Sequence, residues 1–133
     1  MATFHLEVIT PDKVLVNEEV EMAVCPGTEG EFGILPNHIS LLAALKIGAL
    51  RYKSENREQT LFIGGGFLDV HNNKCSVLAE SAEKTEDIDT ARAEAALKRA
   101  EMRLNDKHGD LDEIRARIAL KKAILRLQLA GTR

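Results

Sequence analysis

Three kinds of residue in this 133-residue chain could do chemistry: a triple glycine, a scatter of histidines and cysteines, and arginines and lysines at helical spacing. A run such as Gly64-Gly65-Gly66 cradles phosphate when a Lys-Ser/Thr pair and a helix follow it. Here Phe67-Leu68-Asp69-Val70 follows, so the expected role is a strand bulge or a close backbone approach to a neighbour. His5, His38, His71 and His108 stand apart without metal-ligand spacing, and no metal site is expected. Cys25 and Cys75 lie in separate apolar runs with no CxxC, as reduced core thiols do. No Ser or Cys nucleophile carries a recognisable motif, and no catalytic residue is expected. What remains is charge. Arg115, Lys122 and Arg126 are spaced by seven and four, which places them on one side of a helix. The last twenty residues hold six bases and no acid, so this segment suits an acidic partner. Arg92 and Arg99, also seven apart, can approach Lys122 and Arg126 if two helices close on each other, which gathers four cations.

The elements that must position these groups divide the chain in two. All three prolines and seven of the nine glycines precede Thr85, among short runs that alternate apolar and polar. Leu6 and Val8 alternate up to Thr10-Pro11-Asp12, Val14 and Val16 resume, and Val20, Met22 and Val24 lead to Pro26-Gly27-Thr28-Glu29-Gly30. Asn72-Asn73 reads as a hairpin turn between Val70 and Cys75. From Ile88 to Leu129 the period becomes helical, interrupted only by residues 105–110. A first helix is expected to start among Thr85, Glu86 and Asp87 and to end near Leu104. Gly109 then serves as a stop, and Asp110-Leu111-Asp112-Glu113 as a capping box for a second. Each helix carries two apolar stripes: Ile88, Ala91, Ala95 and Met102 against Ala93, Leu97, Ala100 and Leu104; then Leu111, Ile114, Ile118, Leu125 and Leu129 against Leu120, Ile124 and Leu127. One stripe suffices for the hairpin, so the other must face another surface. The predicted organisation is a β-sandwich over residues 1–84 and a mobile antiparallel helical hairpin over 85–133. Five aromatic residues and no Trp argue against a platform for stacking bases, and no apolar run reaches the roughly 20 residues of a membrane span.

Gly30-Glu31-Phe32-Gly33-Ile34-Leu35-Pro36-Asn37-His38 reads by itself as a rigid loop, with two glycines free to take positive φ and an apolar pair before a proline. As a string it also matches the signature of the epsilon subunit of F-type ATP synthases. Gly64 to Val70 resembles that family's second landmark, Ala79-Glu80-Ser81-Ala82-Glu83 its junction into the helices, and Ile88-Asp89-Thr90-Ala91-Arg92-Ala93 the start of its nucleotide-associated motif. The resemblance runs from Leu6-Glu7-Val8-Ile9-Thr10-Pro11-Asp12 to the last helix.

The resemblance implies a ten-stranded β-sandwich followed by a helical hairpin, in a non-catalytic subunit of the central rotor stalk that couples proton flow to ATP synthesis. It implies gamma subunit and c-ring as partners of the sandwich, with Glu31 facing the ring and His38 the stalk. Through the C-terminal helices it implies contact with the alpha and beta subunits, where Arg115, Lys122 and Arg126 meet an acidic segment and the extended hairpin inhibits ATP hydrolysis. The implied location is peripheral, on the cytoplasmic face of a bacterial inner membrane, with a plastid thylakoid as the alternative, and with no insertion into the bilayer. No cofactor is required. Regulatory ATP is implied at Glu83, Ile88, Asp89, Arg92, Ala93, Arg99, Lys122 and Arg126, and weak binding is expected because Lys122 lacks the planar fork of an arginine. Two other functions compete: a stand-alone nucleotide-sensing module, and an RNA-binding adaptor, which the acidic balance and absence of a nucleic-acid motif disfavour.

Overall fold

The structure, a computed structural model, describes residues 2–106 and 110–133, the latter without the side chains of Asp110 and Leu111. His108, the expected stop at Gly109, and the side chains of Asp110 and Leu111 therefore lie outside the described residues. The chain forms two compact units, Met1–Lys84 and Thr85–Arg133.

The first unit is a β-sandwich. Its strands are β1 (Phe4–Ile9), β2 (Val14–Val20), β3 (Met22–Gly27), β4 (Gly30–Ile34), β5 (Leu41–Ser54), β6 (Arg57–His71), β7 (Lys74–Ala79) and β8 (Ala82–Lys84). Hydrogen bonds link them in the order β2-β1-β7-β6-β5-β3-β4, and β8 also pairs with β6. The β5–β6 hairpin serves both layers. Residues Leu61 to Ile63 of β6 pair with β8, whereas Gly66 to His71 pair with β7. Counting β5 and β6 once per layer turns the eight continuous strands into ten segments, which is how the ten-stranded expectation and the observed order agree. Alternate residues point inward: Phe4, Leu6 and Val8 from β1, Leu68 and Val70 from β6, Cys75 and Val77 from β7, all within one buried cluster.

Turn chemistry sets the register. Glu55-Asn56 and Asn72-Asn73 all take positive φ, the geometry of a two-residue hairpin loop whose twist matches its strands. Gly66 lies where β6 passes from one layer to the other, at φ +146; a Cβ there would overlap the Leu78 carbonyl oxygen and approach Ala79 Cα at 2.8 Å. The triple glycine is thus a place of close backbone approach. The run Gly30 to His38 departs from the expected loop. Gly30 to Ile34 is strand β4, paired with β3 from Gly27↔Gly30 to Ala23↔Ile34. Of its two glycines only Gly30 has positive φ, whereas Gly33 sits in strand β4 with its nearest prospective Cβ neighbour 3.9 Å away. Pairing with a neighbouring strand supplies the partners that a short glycine-bearing segment lacks by itself.

The second unit holds a 3-10 turn at Thr85–Asp87 and two helices, α1 (Thr90–Asn105) and α2 (Asp110–Ala130). The first helix starts later than expected. Asp89 is its N-cap, in extended backbone with its carboxylate accepting from the Arg92 amide at 3.0 Å, so Thr85 to Asp87 form their own turn ahead of it. The buried residues of the helices are mainly alanines seven apart: Ala93 and Ala100 on α1, Ala116, Ala123 and Ala130 on α2. Methyl groups at that spacing let two helix backbones come close along a straight seam. The first expected stripe of α1 fails on this point, because Ala91, Ala95 and Met102 are exposed.

Gly66→Ala is expected to cost about 2–4 kcal/mol through overlap and backbone strain, while Gly33→Ala should change stability by less than about 1 kcal/mol. Tyr52 is the only Tyr in a chain without Trp and is buried in the β-unit. Urea unfolding of the whole chain followed by its fluorescence therefore reads this unit alone.

Candidate functional site

The outer face of the β5-β6-β7-β1-β2 layer is graded. Cross-strand register lines up Ala44 with Phe67, Phe67 with Leu78, Leu78 with Ile9, and Ile9 with Val14, so one apolar row crosses five strands. It is open to solvent: Phe67, Leu78 and Val14 are 61%, 56% and 55% exposed. The next row runs Leu42, Asp69, Ser76, Glu7 and Asn17, and the one after it His71, Lys74, His5 and Glu19. Within that outermost row His5 Nδ1 lies 2.8 Å from Glu19, and Lys74 Nζ reaches back to Glu7 of the row before it at 3.7 Å. A sheet face normally turns polar residues to water, and an unbroken apolar row rimmed by charge marks a protein-binding surface.

A second apolar feature adjoins the β4–β5 connection. Leu35, Ile39 and Leu42 are exposed, Ile39 at 80%. Beside them a cleft of about 540 Å³ opens between the β3–β4 turn and the start of β5, with Phe32, Leu41 and Ala43 in its wall and Glu29 and His38 as polar groups. His38 Nδ1 donates to the Ile39 carbonyl at 2.7 Å. Glu31 is not on a loop: it lies on edge strand β4, exposed, with its carboxylate 3.7 Å from Arg51 Nη2.

The expected nucleotide-binding set is divided. Glu83 lies on β8 in the first unit, while Ile88, Asp89, Arg92, Ala93, Arg99, Lys122 and Arg126 belong to the second. Within that set Ile88 and Ala93 are buried, so they contribute packing, and Asp89 is engaged as the helix cap. Arg92 and Arg99 are exposed, and Lys122 and Arg126 are half-buried. Arg115 is exposed on the same side of α2 as those last two, and its neighbour in sequence, Ala116, faces the seam. Arg117 belongs to a local pair instead, donating to Glu113 at 2.7 Å.

One residue that sequence reasoning counted only as a base has a defined position. Arg133 Nη1 donates to the carbonyls of Thr85, Glu86 and Ile88 at 3.1, 3.3 and 3.0 Å, which ties the end of the helical unit to its beginning. No local pattern announces this, since the contact spans 45 residues or more.

The two cysteines are not poised as nucleophiles. Both cysteines are free and buried. Burial, with the Cys75 sulfur close by, pushes the Cys25 thiol far above its usual range. Burial and then the Asp69 carboxylate raise Cys75 to about 12. Both stay protonated at neutral pH, and the thiol is the inert form. Among the described residues no group of three or more His, Cys, Asp or Glu could hold a metal ion.

Comparison with known proteins accounts for both units. Residues 3–85 match the family described as ATP synthase, Delta/Epsilon chain, beta-sandwich domain, and residues 86–131 match its long alpha-helix domain. The ATP synthase epsilon chain of Nitratidesulfovibrio vulgaris strain DP4 is 53% identical over 102 residues, 77% of this chain and 76% of that protein. That of Pelotomaculum thermopropionicum is 49% identical over 105 residues, covering 79% and 78%. Among solved structures, a chain of the Euglena gracilis mitochondrial ATP synthase (OSCP/F1/c-ring, rotational state 1) superposes with a TM-score of 0.81 at 24% identity, over 100% of this chain and 83% of that one. A chain of the Tetrahymena thermophila enzyme's central stalk and c-ring gives 0.59 at 18% identity, over 96% and 93%. These two show the shared fold. With both domain families matched and bacterial relatives at about half identity over three quarters of its length, the chain belongs to the ATP synthase epsilon-chain family.

Proposed function

We propose that this chain is a non-catalytic rotor subunit of a bacterial F-type ATP synthase, with its sandwich bound to the gamma subunit and the c-ring and its helices acting as a brake on ATP hydrolysis. The apolar row Ala44-Phe67-Leu78-Ile9-Val14 carries the reading. A rigid sheet with one dry strip across five strands suits a permanent partner that rotates with it, and the solved relative from a central stalk and c-ring assembly supports that partner class. The row and the His38 connection seat gamma, and the β3–β4 edge bearing Glu31 faces the ring. Among the described residues no helix is long and apolar enough to cross a membrane, in keeping with attachment through protein partners on the cytoplasmic face.

The helical unit supplies the regulatory half. Exposed Ile114 and Ile118 leave an uncovered apolar face on α2, beside the basic side formed by Arg115, Lys122 and Arg126. In the braking state those groups meet the alpha and beta subunits. Exposed ion pairs contribute about 0.2–1 kcal/mol each, whereas moving a population from 1:99 to 99:1 takes about 5.5 kcal/mol. The apolar face must therefore exchange partners along with the charges. ATP, held by Arg92 and Arg99 of α1 with Lys122 and Arg126 of α2, favours the closed hairpin. A stand-alone nucleotide sensor remains the competing function, and stable recovery with gamma and c subunits separates the two.

Three outcomes are expected. Phe67→Glu with Leu78→Glu should abolish capture by immobilised gamma subunit while leaving the fold intact, because both side chains already face water; undiminished capture would remove the row from the interface. In the reconstituted complex, changing Arg115, Lys122 and Arg126 together to Ala should raise ATP hydrolysis by up to roughly tenfold and spare synthesis. Added salt should partly reproduce the effect, since charge is screened over about 10 Å at 0.1 M. Titration with ATP to several millimolar should shift the amide resonances of Asp89, Arg92, Arg99 and Arg126, and Lys122→Arg should tighten binding. Unmoved resonances would leave the helices as a brake without a nucleotide signal.

A further inference from the structure

The connection between β4 and β5 presents two largely exposed apolar side chains, Leu35 and Ile39. Hydrophobic packing therefore does not hold it, and its anchors are Ile34 at one end, fully buried, and Leu41 at the other, packed on the core. Internally it has a turn in which the His38 amide donates to the Leu35 carbonyl at 3.2 Å, with Asn37 at φ 61. A side chain from a distant turn ties it to the rest of the unit. Asn73, in the β6–β7 hairpin, takes φ 58, and its carboxamide works in two directions. Oδ1 accepts from the Asn37 amide at 2.8 Å, and Nδ2 donates to the Thr3 carbonyl at 2.9 Å. The Asn73 carbonyl in turn accepts from the His5 amide at 3.1 Å.

We propose that Asn73 is a positioning residue for docking: by stapling the β4–β5 connection to the β6–β7 turn and the start of β1, it holds Leu35 and Ile39 in the arrangement that meets the stalk partner. This rests on the rotor reading given above. The residue type follows from two demands. The turn requires positive φ, which Asn accepts far more readily than most residues, and the staple requires a donor and an acceptor on two separate atoms of a short side chain, which the carboxamide supplies. Glycine meets the first demand only, and aspartate meets the first and half of the second. A loop held in its bound geometry before association spends less of its interaction on ordering, so removal of the staple weakens docking without unfolding the sheet.

Asn73→Gly in the full chain separates the two roles, because it keeps the turn and deletes the staple. Hydrogen exchange at the Asn37 amide should accelerate roughly tenfold, while exchange at Leu68 and Val77, in the core strands, stays as in the parent. Capture by immobilised gamma subunit carrying its c-ring should weaken by roughly threefold to tenfold. Asn73→Asp, which keeps an acceptor for the Asn37 amide and loses the donor to Thr3, should leave Asn37 protected and regain most of the capture. Unchanged Asn37 exchange in Asn73→Gly would overturn the staple, and unchanged capture after that protection is lost would overturn its part in docking. Failure of the parent chain itself to be captured would reject the rotor reading, and the exchange measurement would still decide whether Asn73 holds the connection.

Discussion

The first unit depends on one ribbon, the antiparallel pairing of β5 with β6 from Leu41↔Val70 to Ser54↔Arg57. The other strands attach to it directly or through a neighbour: β3 on the β5 side, β7 and β8 at opposite ends of β6. A ribbon shared by two layers must turn between them, and the turn lies at Gly64–Gly66, where Cβ atoms would strike Ser81 and the Leu78 carbonyl. A strand registry is all-or-none in its consequences, since a one-residue slip exchanges the buried face with the exposed one. The glycines and the Asn-rich turns hold the registry that keeps Leu68 and Val70 inside and Phe67 and Asp69 outside. The surface row is a by-product of the same registry.

The second unit is built on a weaker principle. Its helices meet through alanine methyls seven residues apart, each worth about 0.8 kcal/mol on burial, so five of them give about 4 kcal/mol. That is similar to the roughly 5.5 kcal/mol needed to reverse a two-state population. A seam of that strength closes the hairpin and leaves it within reach of a competing surface. Leucines at the same positions would force the backbones apart and change the geometry. The Arg133 contacts add a polar closure to the end of the seam where Thr85 to Ile88 begin the unit.

The division between a registry-locked sheet and a methyl-lined hairpin gives the proposed function its physical form. The sheet offers a fixed apolar strip, and a fixed strip favours a partner that never leaves. The hairpin offers charge at helical spacing on exposed or half-buried side chains, where interactions are individually small and salt-sensitive. Permanent attachment and reversible braking thus fall to different kinds of contact.

Periodicity and turn residues carry much of this architecture in the open. The alternation in Leu6 to Val8 and Val14 to Val16, the Asn72-Asn73 turn and the helical period after Ile88 are local, and local steric preference sets them. The basic side of α2 is equally legible, because spacing along a helix fixes direction. The long strand β5 was not: Leu41-Leu42-Ala43-Ala44-Leu45 has little intrinsic strand character, and β6, a partner across a turn, makes it one. Gly30 to Ile34 became a strand for the same reason. Which alanines are buried, which stripe of α1 faces water, and the start of α1 at Thr90 depended on helix packing and on the Asp89 cap. The apolar row, the Asn73 staple and the Arg133 closure join residues far apart in sequence. The chain's order by itself determined two units and their kinds, and only tertiary structure decided its surfaces, because a surface is made of neighbours that register and packing bring together.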